Sequence, residues 1–350
     1  MLPDWVYRKC PDVSAVHREA AVARQAQLTK PAGALGRLEQ LAIELAGLQA
    51  ADQPRAARAP IIIFAGDHGI VAQGVSAYPQ EVTIAMMANF AAGGAAISVL
   101  ARELGVSLEV VDAGTLAQSE IAGAVVDKPR HGTRDFSVEF ALASEELAFA
   151  FEAGQRAVAR AEAARPDLLI LGEMGIGNTT TSAAIAAALL GVSAEEIAGS
   201  GTGVDAAGLA HKAAVIDAAI ARHGIAGASA ETILCAVGGL EIAAICGAII
   251  AAAQGRIPVL VDGFIVSVAA LAAVRLNPSC RPFLLPSHQS AEQGHRLVLR
   301  ALNVQPLISL DLRLGEGSGA AIALPLVRLA CALHNGMATF AQANVPDRPA

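Results

Sequence analysis

The sequence predicts an α/β fold, a doubly wound and mainly parallel sheet with helices on both faces. Three observations predict it. Short runs of four to six β-branched or Leu-rich residues recur from Pro60 onward, most of them end at an acidic residue set beside glycine, and an alanine-rich helical pattern follows. Runs that apolar suit strands buried on both faces, and helical connections of a dozen or more residues suit parallel pairing. In such sheets ligands lie beyond the carboxyl ends of the strands, so the acids and glycines collect along one rim.

The elements follow in order. Ser14 to Gln27 reads as a polar helix, and "KPAGALGRLEQLAIELAGLQA" as a Pro/Gly turn entering a second one. "ADQPRAARAP" is a linker. Then come "PIIIFAGDHGI", "LEVVDAGT", "DLLILGEMGIGNTTTSAAIAAALL", "IPVLVDGFIVSVAALAAV" and "LISLDLRLGEGSGAAIALPLV" as five strand-helix units, with "PFLLPSHQSAEQGHRLVLRAL" a sixth candidate. The last segment, "CALHNGMATFAQANV", leaves this pattern and is expected to join the N-terminal helices in a small helical domain. That divides the chain into residues 1–55 plus 328–350, and an α/β domain over 56–327.

Composition narrows the function. Apolar residues make up 54% of the 350 and charged residues 16%, which describes a compact Ala/Gly-rich body. The longest apolar runs, "IAAICGAIIAAA" and "FIVSVAALAAV", fall short of the roughly 20 residues a membrane span needs, so they are expected to be buried helices, and no membrane partner is expected. A net charge of −7 and 3% aromatic residues leave no footprint for nucleic acid and point to small-molecule substrates. The five cysteines are far apart, without a CxxC pair, and no secretion signal opens the chain; both fit a reducing cytoplasm.

Two glycine-rich loops carry the chemistry. In "LGEMGIGNTTTSAAIAA", Leu171 ends a strand, Gly172 to Gly177 form a loop, and Asn178 to Thr181 can cap the next helix. Unpaired N–H groups at a helix start, reached over glycines, suit a phosphate; an ordinary capped turn is the bland alternative. The loop lacks the GK[ST] of a P-loop. "GTGVDA" (Gly201 to Ala206) matches GxGxxA, but no buried strand precedes it. Lys212 on a later helix is either a solvated charge or a phosphate ligand.

Glu316 in "RLGEGSGAA" is either a first-turn acid favoured by the helix dipole or a carboxylate in a dry pocket. Burial would raise its pKa and suit it for general base work. Glu173 on the other loop is its counterpart, and two carboxylates beside an anion site suit developing positive charge at an anomeric carbon. Asp67 and His68 are adjacent, and His288 and His295 show no metal-ligand spacing or carboxylate partner pattern, so neither a metal nor a cofactor is expected. "GEGSG" is not a nucleophile elbow.

Taken in order, "KPAGALGRLEQLA", "FAGDHGI", "GEMGIGNTTTSAA", "PVLVDGFIVSVAALAA", "PSHQSAEQGH" and "RLGEGSGAA" resemble the nicotinate-nucleotide:dimethylbenzimidazole phosphoribosyltransferases of cobalamin biosynthesis, from about Lys30 to Leu333. The resemblance implies a Rossmann-like six-stranded domain, a helical domain from both termini and a homodimer. It implies transfer of 5-phosphoribosyl from nicotinate mononucleotide to 5,6-dimethylbenzimidazole, giving α-ribazole 5'-phosphate and nicotinate. It makes Glu316 the catalytic base and leaves Glu173 to stabilise the oxocarbenium character. Gly175, Gly177, Asn178, Thr179, Thr180, Lys212, Ser287 and Ser290 would hold the ribose phosphate. Tyr78, Gln80, Met86 and Leu314 would line the aromatic-base pocket. Ala34 stands where family members commonly carry serine. Two other readings stay open from sequence: a nucleotide or sugar-phosphate hydrolase in which Glu316 activates water, and a silent nucleotide sensor.

Overall fold

The computed structural model describes residues 1–199, 201, 203 and 205–346. Its main sheet has six strands: β1 (Ile61–Gly66), β2 (Leu108–Gly114), β3 (Ala124–Val126), β4 (Leu169–Met174), β5 (Val259–Val261) and β6 (Leu284–Pro286). They run parallel throughout, in the order β3-β2-β1-β4-β5-β6. β1 is buried at every position, as its run of isoleucines requires. From β1 the chain moves outward to β2 and β3, then returns to lay β4 on the other side of β1. Ligands in such sheets lie beyond the carboxyl ends of the strands near that reversal; here the cavity opens on the β5 side of β4, beyond β4 and β5.

Two strand expectations change. "LISL" does not enter the sheet: only Ile308–Ser309 pairs there (β8), with His288–Gln289 (β7), in a separate two-stranded ribbon. Leu310 is 56% exposed, so the run lacks the two-sided cover that a central strand needs. β3 has no counterpart in the sequence pattern. It is three residues long and lies at the sheet edge, too short and too exposed for an apolar run to mark it.

The helices named here are α1 (Ala15–Gln27), α2 (Arg37–Gln49), α3 (Glu81–Ala92), α4 (Ala96–Leu104), α5 (Ser144–Glu162), α6 (Asn178–Leu190), α7 (Ala194–Ile197), α8 (Ala206–His223), α9 (Ala230–Val237), α10 (Leu240–Gln254), α11 (Phe264–Leu276), α12 (His295–Ala301), α13 (Ser318–Gly336) and α14 (Phe340–Ala343). The stretches "IAAICGAIIAAA" and "FIVSVAALAAV" are α10 and α11, buried over nearly all their length. α5 and α10 pack backbone to backbone through glycine. A Cβ on Gly247 would strike Phe151, and one on Gly154 would strike Ala244, which accounts for small residues in the middle of both helices.

The termini meet. Ser14 caps α1 as its position predicts, and the Arg24 guanidinium near the helix end donates to the carbonyls of His334 (2.7 Å), Asn335 (3.0 Å) and Met337 (3.2 Å). Gln25 meets His334 Nδ1 at 2.9 Å, and Leu28 bridges Thr339. α13 runs unbroken through positions 327 and 328, from the rim of the sheet to these contacts with the N-terminal helices.

Candidate active site

The strand does not end at Leu171: β4 runs on through Gly172, Glu173 and Met174, paired with β1, and the loop before α6 is only Gly175 to Gly177. The cap differs too. Gly177, at φ 97°, is the residue that precedes α6, and no side chain caps the helix. Asn178 turns back and donates its Nδ2 to Glu173 Oε2. Thr179 accepts from Lys212 Nζ at 2.9 Å, while Thr180 is fully buried and its hydroxyl has no partner among the described residues. Lys212 lies on α8, which Asp205 caps through the Gly208 amide (2.8 Å).

Lys212 is not a solvated charge. It is 1% exposed, and besides Thr179 it donates to the Gly199 carbonyl at 3.2 Å. Burial pushes its pKa down to about 8, against the opposing charge of Glu292. Of the segment "GTGVDA", Thr202 and Val204 lie outside the described residues.

Glu316 sits on the loop that enters α13, not at the end of a sheet strand. Gly315, Glu316 and Gly317 all have left-handed backbones, at φ 85°, 63° and 75°. This turn presses the loop against β4. A Cβ on Gly172 would lie 2.5 Å from the Gly317 nitrogen and 2.6 Å from the Glu316 carbonyl carbon, so only glycine permits the approach. The strand and the loop thereby place Glu173 and Glu316 at one cavity.

Both carboxylates are buried, at 4% and 5% exposure. Burial raises the pKa of Glu316, the charge of Asp262 adds to that, and the Ile97 amide at the start of α4 opposes it. Among the described residues its Oε2 has no hydrogen-bond partner. Glu173 is raised well above the ordinary value, first by burial and then by Asp262, Glu241 and Glu316. Such carboxylates are reluctant to stay charged, and a group that holds its proton more firmly is a stronger base.

The cavity is about 430 Å³. Glu173, Gly175, Asn178, Thr179, Ser290 and Glu316 line its polar part, with Tyr78, Met86 and Leu314 on the apolar side. Tyr78 and Leu314 are each more than half exposed, so this side forms the open mouth. Gln80 points elsewhere, donating to the His68 carbonyl at 2.9 Å. Ser287 is fully buried and donates to the Val261 carbonyl at 2.6 Å. Gly177, Thr180, Gln80 and Ser287 are not among the lining residues; Lys212 stands behind Thr179.

The cavity also holds Asp262, His288, Glu292 and Arg313, which sequence reading did not select. Asp262 carried a visible signal, an acid following β5 and preceding a glycine. His288 does have a carboxylate neighbour, since its Nδ1 lies 3.7 Å from Asp262 Oδ1. Beneath the β4 loop, His68 is wholly buried between Thr181 Oγ1 (2.9 Å) and Glu241 Oε1 (2.8 Å). These partners lie more than 100 residues away in the chain, so no local pattern announces them. Among the described residues no group of His, Cys, Asp and Glu is arranged to hold a metal ion.

Known proteins share both the sequence and the frame. The family model described as Phosphoribosyltransferase matches residues 10–345. The nicotinate-nucleotide--dimethylbenzimidazole phosphoribosyltransferase of Bradyrhizobium diazoefficiens is 88% identical over 350 residues, covering all of both chains. The protein of that name from Pseudomonas savastanoi is 54% identical, again over the whole of both. A crystal structure of the corresponding phosphoribosyltransferase from Thermus thermophilus superposes with a TM-score of 0.90 at 41% identity, covering 96% of this chain and 100% of that one. The chain therefore belongs to the nicotinate-nucleotide--dimethylbenzimidazole phosphoribosyltransferase family.

Proposed function

We propose that the enzyme moves 5-phosphoribosyl from nicotinate mononucleotide to 5,6-dimethylbenzimidazole with inversion, giving α-ribazole 5'-phosphate and nicotinate for the nucleotide loop of cobalamin. One observation carries the residue assignment. A buried carboxylate, Glu316, with an oxygen that has no partner among the described residues, shares a cavity with a glycine-rich helix entrance backed by a buried lysine.

The chemistry follows from these groups. The nucleotide phosphate lies against Gly175, Thr179 and Ser290, with Lys212 behind them supplying positive charge. The aromatic base enters past Tyr78, Met86 and Leu314. One benzimidazole nitrogen attacks the anomeric carbon from the face opposite nicotinate. The bond to the pyridinium nitrogen breaks, and its electron pair neutralises that ring. Glu316 accepts the proton from the other benzimidazole nitrogen, which prevents a cationic product from accumulating. Glu173, held by Asn178, faces the positive charge that develops on the ribose.

The same reading places the enzyme in the cytoplasm as a homodimer, with residues 1–55 and 328–350 as a helical unit beside the α/β domain. Light scattering on the purified protein tests the dimer. The reaction is tested by product analysis after mixing protein, nicotinate mononucleotide and dimethylbenzimidazole, beside Glu316→Gln. An α-linked riboside phosphate from the parent, reduced at least about a hundredfold in the variant, is expected. Free ribose 5-phosphate would make the protein a hydrolase, and binding without turnover would make it a sensor.

A further inference from the structure

Asp262 is an acidic residue at the cavity to which the reaction above gives no task. It follows β5 directly and is 2% exposed. Its Oδ1 accepts from the Ala320 amide at 2.9 Å, in the first turn of α13, and the amides of Gly317 and Gly263 also favour its charged form. The carboxylate thus grips the backbone on the helix side of Glu316. Behind it stands His288, whose ring fills the space that a Cβ on Gly319 would need and lies 3.4 Å from where one on Gly263 would be.

We propose that Asp262 is a positioning residue for Glu316: it anchors the first turn of α13 behind the base and supplies negative charge that strengthens the base. The inference rests on Glu316 being the base. Two independent features support it. The clamp joins the end of β5 to α13 across 58 residues of sequence, at the turn that directly follows Glu316. The charge acts on both reacting carboxylates, since Asp262 raises the proton affinity of Glu316 and of Glu173.

The groups around Glu316 come from three elements. Glu173 faces it from β4, Asp262 from the end of β5, and the Ile97 amide from the start of α4. Asp262 in turn is faced by His288, which favours its ionised form, while burial disfavours it. His288 is itself pushed below the usual imidazole range by burial. Removing the Asp262 charge therefore lowers the proton affinity of Glu316. A base that must be deprotonated to work would then act at lower pH, although each turnover would be slower.

The test compares pH profiles of kcat for the parent, Asp262→Asn and Glu316→Gln at saturating substrates. Asparagine can still accept from Ala320, so a clamp-only role leaves the profile where it was. The expected result is an acid limb moved down by about one pH unit in Asp262→Asn, with the nucleotide KM within about threefold of the parent. An acid limb that Glu316→Gln abolishes but Asp262→Asn leaves in place overturns the proposal alone. A limb that persists unchanged in Glu316→Gln removes Glu316 as the base, and the proposal goes with it. Should Asp262→Asn fail to fold, Asp262→Ser serves instead. It too removes the charge, so the limb should move the same way, and an unmoved limb counts against the idea.

Discussion

Lys212→Gln separates binding from chemistry. The ammonium is buried against one hydroxyl and one carbonyl, and its pKa falls from 10.5 to about 8. That displacement corresponds to roughly 3 kcal/mol of disfavoured charge. A phosphate held against Thr179 offsets it, because the Thr179 hydroxyl links Nζ to the anion, and charge-assisted hydrogen bonds of this kind are worth about 1.5–3 kcal/mol. Glutamine keeps hydrogen-bonding capacity and loses the charge, so the nucleotide KM should rise about tenfold to a hundredfold while kcat changes little. The pH dependence has a definite sign. Below about 8 the parent lysine is charged and the nucleotide KM stays low; above it the charge is lost and KM climbs. The phosphate itself is fully ionised across that range, with its second pKa near about 6, so it adds no slope of its own. Initial rates from about pH 7 to 9.5 at saturating dimethylbenzimidazole measure this, a range that brackets the lysine pKa. A parent KM flat across the range, or a variant that loses kcat at unchanged KM, refutes the phosphate role.

Two further substitutions probe the frame and the mouth of the cavity. Gly172→Ala puts a methyl group against the backbone of Glu316 and Gly317. It should cost about 1–3 kcal/mol in urea unfolding and lower kcat by displacing Glu316; parent-like values of both would show that the loop has room to move. Tyr78→Ala removes part of the apolar mouth, so the KM for dimethylbenzimidazole should rise several-fold while that for the nucleotide holds. Equal effects on the two would place Tyr78 outside the base pocket.

Much of this arrangement is legible from residue patterns, and the failures have physical reasons. β1, β4 and β5 announce themselves because strands buried on both faces are apolar at successive positions, and β2 shows the pattern only over Val110 and Val111. The same rule misplaces "LISL". An apolar run marks a central strand only if both faces find cover, and Leu310 and Leu314 are instead largely exposed, with Leu314 at the mouth of the cavity. The segments bearing Glu173, near the end of β4, and Glu316, on the loop before α13, are visible through their glycines. Their meeting is not, because it depends on Gly172 admitting the backbone of a loop more than 140 residues away. Lys212 reads, on sequence, more readily as a surface charge than as a ligand, and its burial excludes the surface charge. Gln80 and Ser287 fall in segments that do reach the site, but side-chain direction within a segment is settled by tertiary partners, here the carbonyls of His68 and Val261.

Glu316 is a poor choice for the fold, and that is the strongest physical reason to look for its value in the chemistry. It is the middle of three consecutive left-handed residues, where a side chain costs about 1 kcal/mol or more relative to glycine. Its buried carboxylate has an oxygen without a partner among the described residues, a second cost. Glu316→Ala removes the second cost and Glu316→Gly removes both. Stability should therefore increase from parent to alanine to glycine, with the last step about 1 kcal/mol less the extra chain entropy of glycine. Activity should be lost in both variants. Urea unfolding of the three proteins, with product formation measured on each, gives the comparison. If the parent proves the most stable, Glu316 is serving the architecture through contacts of its own, and the argument from its conformational cost to its catalytic role fails. If the order holds, the loop carries a destabilising residue that an inert turn at this position would have replaced with a third glycine.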